Sequence, residues 1–187
     1  MTQTNLLDEL MWRGLVHQTS DDALARAAFA GQTSAYIGFD PTGTSLHVGS
    51  LLQILTLVRL QRAGHRAIAL VGGGTGLIGD PSGKSAERTL LTADIVRSNG
   101  DAIRDQLARF LDFEGSNPAQ LVNNVDWLNG VGLLAFLRDV GKHFSVNAMV
   151  QRDSVRTRLE GRNQGISYTE FSYMLLQAYD FLALYRD

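Results

Sequence analysis

His47 and Ser50 stand three residues apart, the spacing of neighbours on one helix face. They open an apolar run, Leu51, Leu52, Ile54, Leu55, Val58 and Leu60, that suits a helix closed by Gly64. Before them comes turn chemistry, Asp40-Pro41-Thr42-Gly43. Before that is a strand-like stretch with Tyr36, Ile37 and Phe39. Strand, small-residue loop and helix start together make an anion site. The first helical turn offers free amides and partial positive charge. The His47 imidazole and the Ser50 and Thr42 hydroxyls would add to them. A capped helix with a surface histidine is the plain alternative. The glycine-rich segment downstream favours a phosphate.

That segment runs Gly72-Gly73-Gly74-Thr75-Gly76-Leu77-Ile78-Gly79-Asp80-Pro81-Ser82-Gly83-Lys84-Ser85. It follows an apolar stretch, Ile68, Leu70 and Val71, that reads as a buried strand. Two generic phosphate motifs nearly fit. The dinucleotide fingerprint needs a helix straight out of the loop, where Asp80-Pro81 makes another turn. The P-loop pattern is one residue short. The segment reads instead as a ligand-facing floor followed by a cationic flap. Asp80 suits an ammonium group, and Lys84 and Arg88, four apart, suit phosphates. The chain has only two lysines against fifteen arginines, so a lysine in a Gly-Ser turn is poor filler. A flexible surface loop is the alternative.

Near the end of the sequence, Ser167 to Glu170 forms a capping box. Beyond it, Phe171, Met174, Leu175, Ala178, Phe181, Leu182 and Tyr185 form a stripe expected to be core. Tyr173, Gln177 and Asp180 fall on one line of the same helix. A phenol, an amide and a carboxylate with no Lys, Glu or Arg among them suit a pocket wall better than a solvent face. Asn123, at the end of a third predicted strand over 121–125, reads as a site residue or a turn former.

These motifs carry a resemblance. Asp40-Pro41-Thr42 followed by His47-Val48-Gly49-Ser50 is similar to the first signature of class I aminoacyl-tRNA synthetases, with Ser50 in place of the usual second histidine. The lead-in from Tyr36, the Gly-Asp-Pro-Ser-Gly-Lys run and the Tyr173, Gln177, Asp180 pattern resemble tyrosyl-tRNA synthetases in particular. The resemblance implies activation of L-tyrosine by ATP with Mg²⁺, and transfer to tRNA(Tyr). It places Gly38, Asp40, Thr42, His47, Gly49 and Ser50 around ATP. It assigns catalysis to Thr42, His47, Lys84 and Arg88. It gives tyrosine's α-amino group to Asp80, Tyr173 and Gln177, and its hydroxyl to Tyr36 and Asp180. Tryptophanyl-tRNA synthetase and an idle scaffold on the same fold are the rival readings. The family's second signature and anticodon-binding region are absent from these 187 residues, so a truncated catalytic domain is expected. The family also implies a homodimer.

A chain with 44% apolar residues and a formal charge of −2 has the makings of a packed globular domain over 1–187, not a basic nucleic-acid clamp. Without an 18-residue apolar run or a signal pattern, a cytoplasmic protein is expected. With no cysteine, disulfides, thiolate nucleophiles and cysteine-based zinc sites are excluded. The four histidines show no ligand spacing, so no protein-bound metal is expected. Strand, helix and strand within about forty residues predict a right-handed βαβ unit. The fold class is α/β, a Rossmann-like, doubly wound parallel sheet. Further helices are predicted over 5–13, 22–29, 92–113, 133–142 and 146–159. Arg152, Arg156, Arg158 and Arg162 are expected on a solvated face.

Overall fold

A computed structural model describes residues 5–80, 91–160 and 165–186. The elements begin with helices α1 (Leu6–Trp12) and α2 (Asp22–Phe29), strand β1 (Ser34–Phe39), helix α3 (Val48–Arg62) and strand β2 (Arg66–Val71). Next come helix α4 (Ala93–Leu107), strand β3 (Gln120–Asn123) and short helices α5 (Val125–Leu128) and α6 (Leu133–Ala135). Helices α7 (Val146–Val150), α8 (Asp153–Glu160) and α9 (Tyr168–Arg186) complete the order. The three strands form one parallel sheet in the order β1-β2-β3, a Rossmann-like α/β arrangement.

The chain divides into two compact units. The first comprises Met1–Phe39, Ser45–Leu70 and Ala102–Val122. It holds the sheet and a core of Leu6, Leu10, Phe39, Ile54, Leu57, Val58, Leu60, Ala67, Ala69, Ile103, Leu107, Leu111 and Ala119. Its helices begin and end on local signals. Asn5 and Asp21 accept from Leu7 N and Leu24 N at the starts of α1 and α2. Gly14 and Gly64 take φ of 68° and 84° just past α1 and α3, a conformation that glycine adopts without strain.

The second unit comprises Asp40–Thr44, Val71–Asp101 and Asn123–Asp187. Here two predicted helices break up. Residues 133–142 resolve into α6, a π turn over Phe136–Val140 and a 3-10 turn over Gly141–His143. Residues 146–159 resolve into α7 and α8. The arginine cluster divides as well. Arg156 pairs with Asp153 on the surface, as expected. Arg158 is 4% exposed and bonds Glu170, because α9 supplies a buried carboxylate there. Arg162 lies outside the described residues.

The apolar stripe of α9 is also not the core it was expected to be. Leu175 is buried, but Phe181, Leu182 and Tyr185 are exposed, while the polar Glu170 and Asp180 are each 2% exposed. Burial follows which side chains find partners, and these two carboxylates find them.

Candidate functional site

In the first unit, His47 is the N-cap of α3, with φ −105° and ψ 174°. Its Nδ1 accepts from the amide of Gly49 at 3.0 Å. A neutral imidazole that accepts at Nδ1 carries its proton on Nε2, so the ring presents a donor outward. Gly49 permits this arrangement. A Cβ there would lie 2.8 Å from His47 Cε1 and 2.9 Å from Nδ1. The amide of Ser50 donates to the His47 carbonyl at 2.9 Å. Two amides expected to await an anion are therefore already engaged, and the imidazole adds a donor at this helix start.

His47 is exposed, while Ser50 is 7% exposed. Tyr36 and Gly38 lie on β1 in this unit, Tyr36 half-buried and Gly38 exposed.

In the second unit a chain of hydrogen bonds links four segments. The Asp40-Pro41-Thr42 turn is anchored from behind. Asn99 Nδ2 donates to the Pro41 carbonyl at 2.9 Å, and Thr42 N donates to the Asp40 carbonyl at 2.9 Å. Thr42 itself is exposed. The Asp40 carboxylate accepts from Thr75 Oγ1 at 3.1 Å and from the Tyr173 hydroxyl at 2.9 Å. Asn124, fully buried, donates from Nδ2 to Thr75 Oγ1 at 3.0 Å and to Asp180 Oδ2 at 3.2 Å. Its Oδ1 accepts from the Gly74 amide at 2.8 Å. Trp127 Nε1 donates to Asp180 Oδ1 at 2.8 Å. Gly72 makes room for this network, since a Cβ there would run into Asp40 Oδ1 and Thr75 Oγ1.

The electrostatics follow from burial and from crowded carboxylates. Burial pushes the Tyr173 phenol well above its usual range, and the charges of Asp40 and Asp80 push the same way. Tyr173 is thus a neutral donor. Burial raises Asp180 too, while the Trp127 and Asn124 bonds pull it back and Asp40 adds to the rise. Each Asp180 oxygen accepts one bond from the protein, which leaves acceptor capacity on both.

Beside the network lies a cavity of about 490 Å³. Asp80, Tyr173 and Gln177 line it together with Met174, Ala178 and Phe181 of α9. The facing wall includes His143, Ser145, Met149, Arg152 and Ser154. The expected core residues of α9 are therefore partly cavity wall. Negative potential from Asp40 and Asp80 suits a cationic group at this end.

Asn123 is occupied otherwise. Its Oδ1 accepts from Gly73 N and Val125 N, both at 3.1 Å, which ties the glycine floor to the start of α5. The neighbouring Asn124 enters the network instead. Sequence reasoning missed Asn124, Thr75 and Trp127. The available signal was the Asn-Asn pair at the carboxyl end of a strand, where parallel sheets present ligand-binding groups. Lys84 and Arg88 lie outside the described residues. Among the described residues no group of three His, Asp or Glu is arranged to hold a metal, and no helix is long and apolar enough to cross a membrane.

Residues 30–187 match the family described as tRNA synthetases class I (W and Y). The chain is 57% identical to a Rhodopirellula baltica protein named tyrosine--tRNA ligase, over 98% of this chain and 43% of that one. It is 58% identical to tyrosine--tRNA ligase 1 of Bacillus subtilis, again over 98% and 43%. It thus spans less than half the length of these curated relatives. Among solved structures, a C-terminally truncated mitochondrial tyrosyl-tRNA synthetase from Aspergillus nidulans superposes with a TM-score of 0.86 at 30% identity. The match covers 97% of this chain and 54% of that one.

Proposed function

The chain belongs to the tRNA synthetases class I (W and Y), and on that footing we propose that it is the amino-acid-activating part of a tyrosine-tRNA ligase. The observation that carries this reading is the convergence of Asp80, Tyr173 and Gln177 on one cavity, with Asp40 close behind. A carboxylate, a neutral phenol and an amide are the complement of an α-ammonium group. Asp180, seven residues beyond Tyr173 on the same helix line, is the acceptor for the phenolic hydroxyl. Its two fixed donors favour the ionised carboxylate that such an acceptor requires. Phenylalanine would leave it unpaired on the ligand side, at the cost of a buried polar group without its bond.

In the proposed reaction a carboxylate oxygen of tyrosine attacks the α-phosphorus of ATP. The bond to the β-phosphate bridging oxygen breaks, and pyrophosphate leaves with that electron pair. A ribose hydroxyl of tRNA(Tyr) then attacks the tyrosyl carbonyl and AMP departs. No side-chain nucleophile is needed, and positioning and charge stabilisation carry the rate. His47, through Nε2–H, and Thr42 act on the leaving phosphates. Asp40, Gly38, Gly49 and Ser50 belong to the nucleotide-binding loop. Mg²⁺ enters as part of the nucleotide substrate. Lys84 and Arg88 keep the flap role their resemblance implies. Asn123 acts through the floor it ties down. A homodimer in the cytoplasm completes the proposal.

Calorimetric titration with tyrosine, phenylalanine and tryptophan tests it. Tyrosine-selective heat, weakened in Asp180→Asn, is expected. A tryptophan preference would move the reading to the sister enzyme, and no heat from any of the three would leave a scaffold.

A further inference from the structure

Arg158 and Glu170 are buried charges that the proposed chemistry leaves unused. Their side chains are 3% and 2% exposed. Arg158 Nη1 donates to Glu170 Oε1 at 3.3 Å and Nη2 donates to Oε2 at 3.1 Å. Nη2 also donates to the Gly165 carbonyl at 3.0 Å. Two parallel bonds fix the angle between the groups as well as their distance. Stability is a weak reason for such a pair, because apolar side chains of similar volume often fill the same space at no loss.

The position of the pair gives a better reason. Arg158 lies near the end of α8, four residues beyond Ser154, which lines the cavity. Glu170 lies in the first turn of α9. Tyr173, Met174, Gln177 and Phe181 follow it at helical spacing and line the opposite wall. The Glu170 amide donates to Ser167 Oγ at 3.3 Å, so the start of the helix is locked to the same residue. The pair joins α8, the helix that carries Ser154, to the first turn of α9, the helix that carries Tyr173 and Gln177.

We infer that Arg158 and Glu170 are a positioning pair for the ammonium end of the ligand cavity. The pair fixes the rotation of α9 and its separation from α8. That sets where the Tyr173 hydroxyl and the Gln177 amide stand. The inference rests on the tyrosine-binding reading above and goes beyond it by naming what holds those groups in place.

The test compares L-tyrosine with 3-(4-hydroxyphenyl)propionate, which lacks the ammonium, by calorimetric titration. Three proteins are used: the parent, Arg158→Lys, and the double variant Arg158→Met with Glu170→Met. Replacing both charges avoids stranding a buried carboxylate. Arg158→Lys keeps the charge and loses the fork, so it serves if the double variant does not fold. The expected result is that tyrosine's advantage over the desamino compound shrinks about tenfold in the double variant, which is about 1.4 kcal/mol. Arg158→Lys should show a smaller loss of that advantage in the same direction. A purely structural pair would weaken both ligands alike and leave their ratio unchanged, and that result overturns the inference. A parent chain with no preference for the amine sinks the underlying reading, and the inference falls with it.

Discussion

Replacing Trp127 with phenylalanine removes the indole N–H, with the rest of the five-membered ring, from a part-buried position and leaves a six-membered ring. The lost bond is the 2.8 Å donation from Nε1 to Asp180 Oδ1. Asp180 is 2% exposed and keeps one donor, Asn124 Nδ2 at 3.2 Å. A hydrogen bond to a charged group contributes about 1.5–3 kcal/mol, so that is the expected loss of unfolding free energy at neutral pH. For a chain of this size the melting point should fall by roughly 3–12 °C. The loss should also depend on pH. The indole holds the ionised carboxylate, so its removal lets the Asp180 pKa rise further. As pH falls and Asp180 takes up its proton, the deficit should shrink towards the about 0.5–1.5 kcal/mol of a neutral bond. Urea denaturation followed by far-ultraviolet circular dichroism is the assay. Fluorescence will not serve, because the remaining tryptophan, Trp12, is 80% exposed. A loss below about 0.5 kcal/mol, or one that stays constant with pH, would refute the reasoning that Asp180 is ionised and held by this bond.

Three further outcomes are expected. Asp180 has a folded pKa raised above its ordinary 3.8, so its contribution to stability is fully present below that value and is lost as pH rises through the raised one. Asp180→Asn should remove that part of the slope, as read from melts across the acid range. Tyr173 is raised above its ordinary 10.0, so it should stay protonated while freer phenols ionise, and stability should fall as pH climbs past 10. Tyr173→Phe should abolish that alkaline loss, and ultraviolet titration should show the missing amplitude only on unfolding. Gly72→Ala should cost about 1–3 kcal/mol by denaturant melt, because its Cβ would displace Asp40 and Thr75.

The framework was legible where local patterns decide structure. Asp21, Gly64 and the apolar stretch before Gly72 marked element ends within a few residues of their observed bounds. Where partners come from far along the chain, the patterns misled. The last helix satisfies apolar spacing, yet its most buried residues are Glu170 and Asp180. Their partners, Arg158, Asn124 and Trp127, lie 12, 56 and 53 residues away. Asn123, read as a site residue or a turn former, makes the local turn bond with Val125 N, and Asn124 drew no notice because its partners Thr75 and Asp180 lie far along the chain. The helix line placed Tyr173 and Gln177 on one wall, and both line the cavity; Asp80, which lines it with them, was joined to them only by the family resemblance.

The most direct test of the central claim, that this cavity recognises the ammonium end of tyrosine, is a calorimetric comparison of tyramine with 3-(4-hydroxyphenyl)propionate. The two share the phenol; one keeps the amine and the other the carboxylate. Tyramine should bind more tightly than the propionate, with the difference collapsing in Asp80→Asn. Equal binding of the two, or preference for the propionate, would contradict the account.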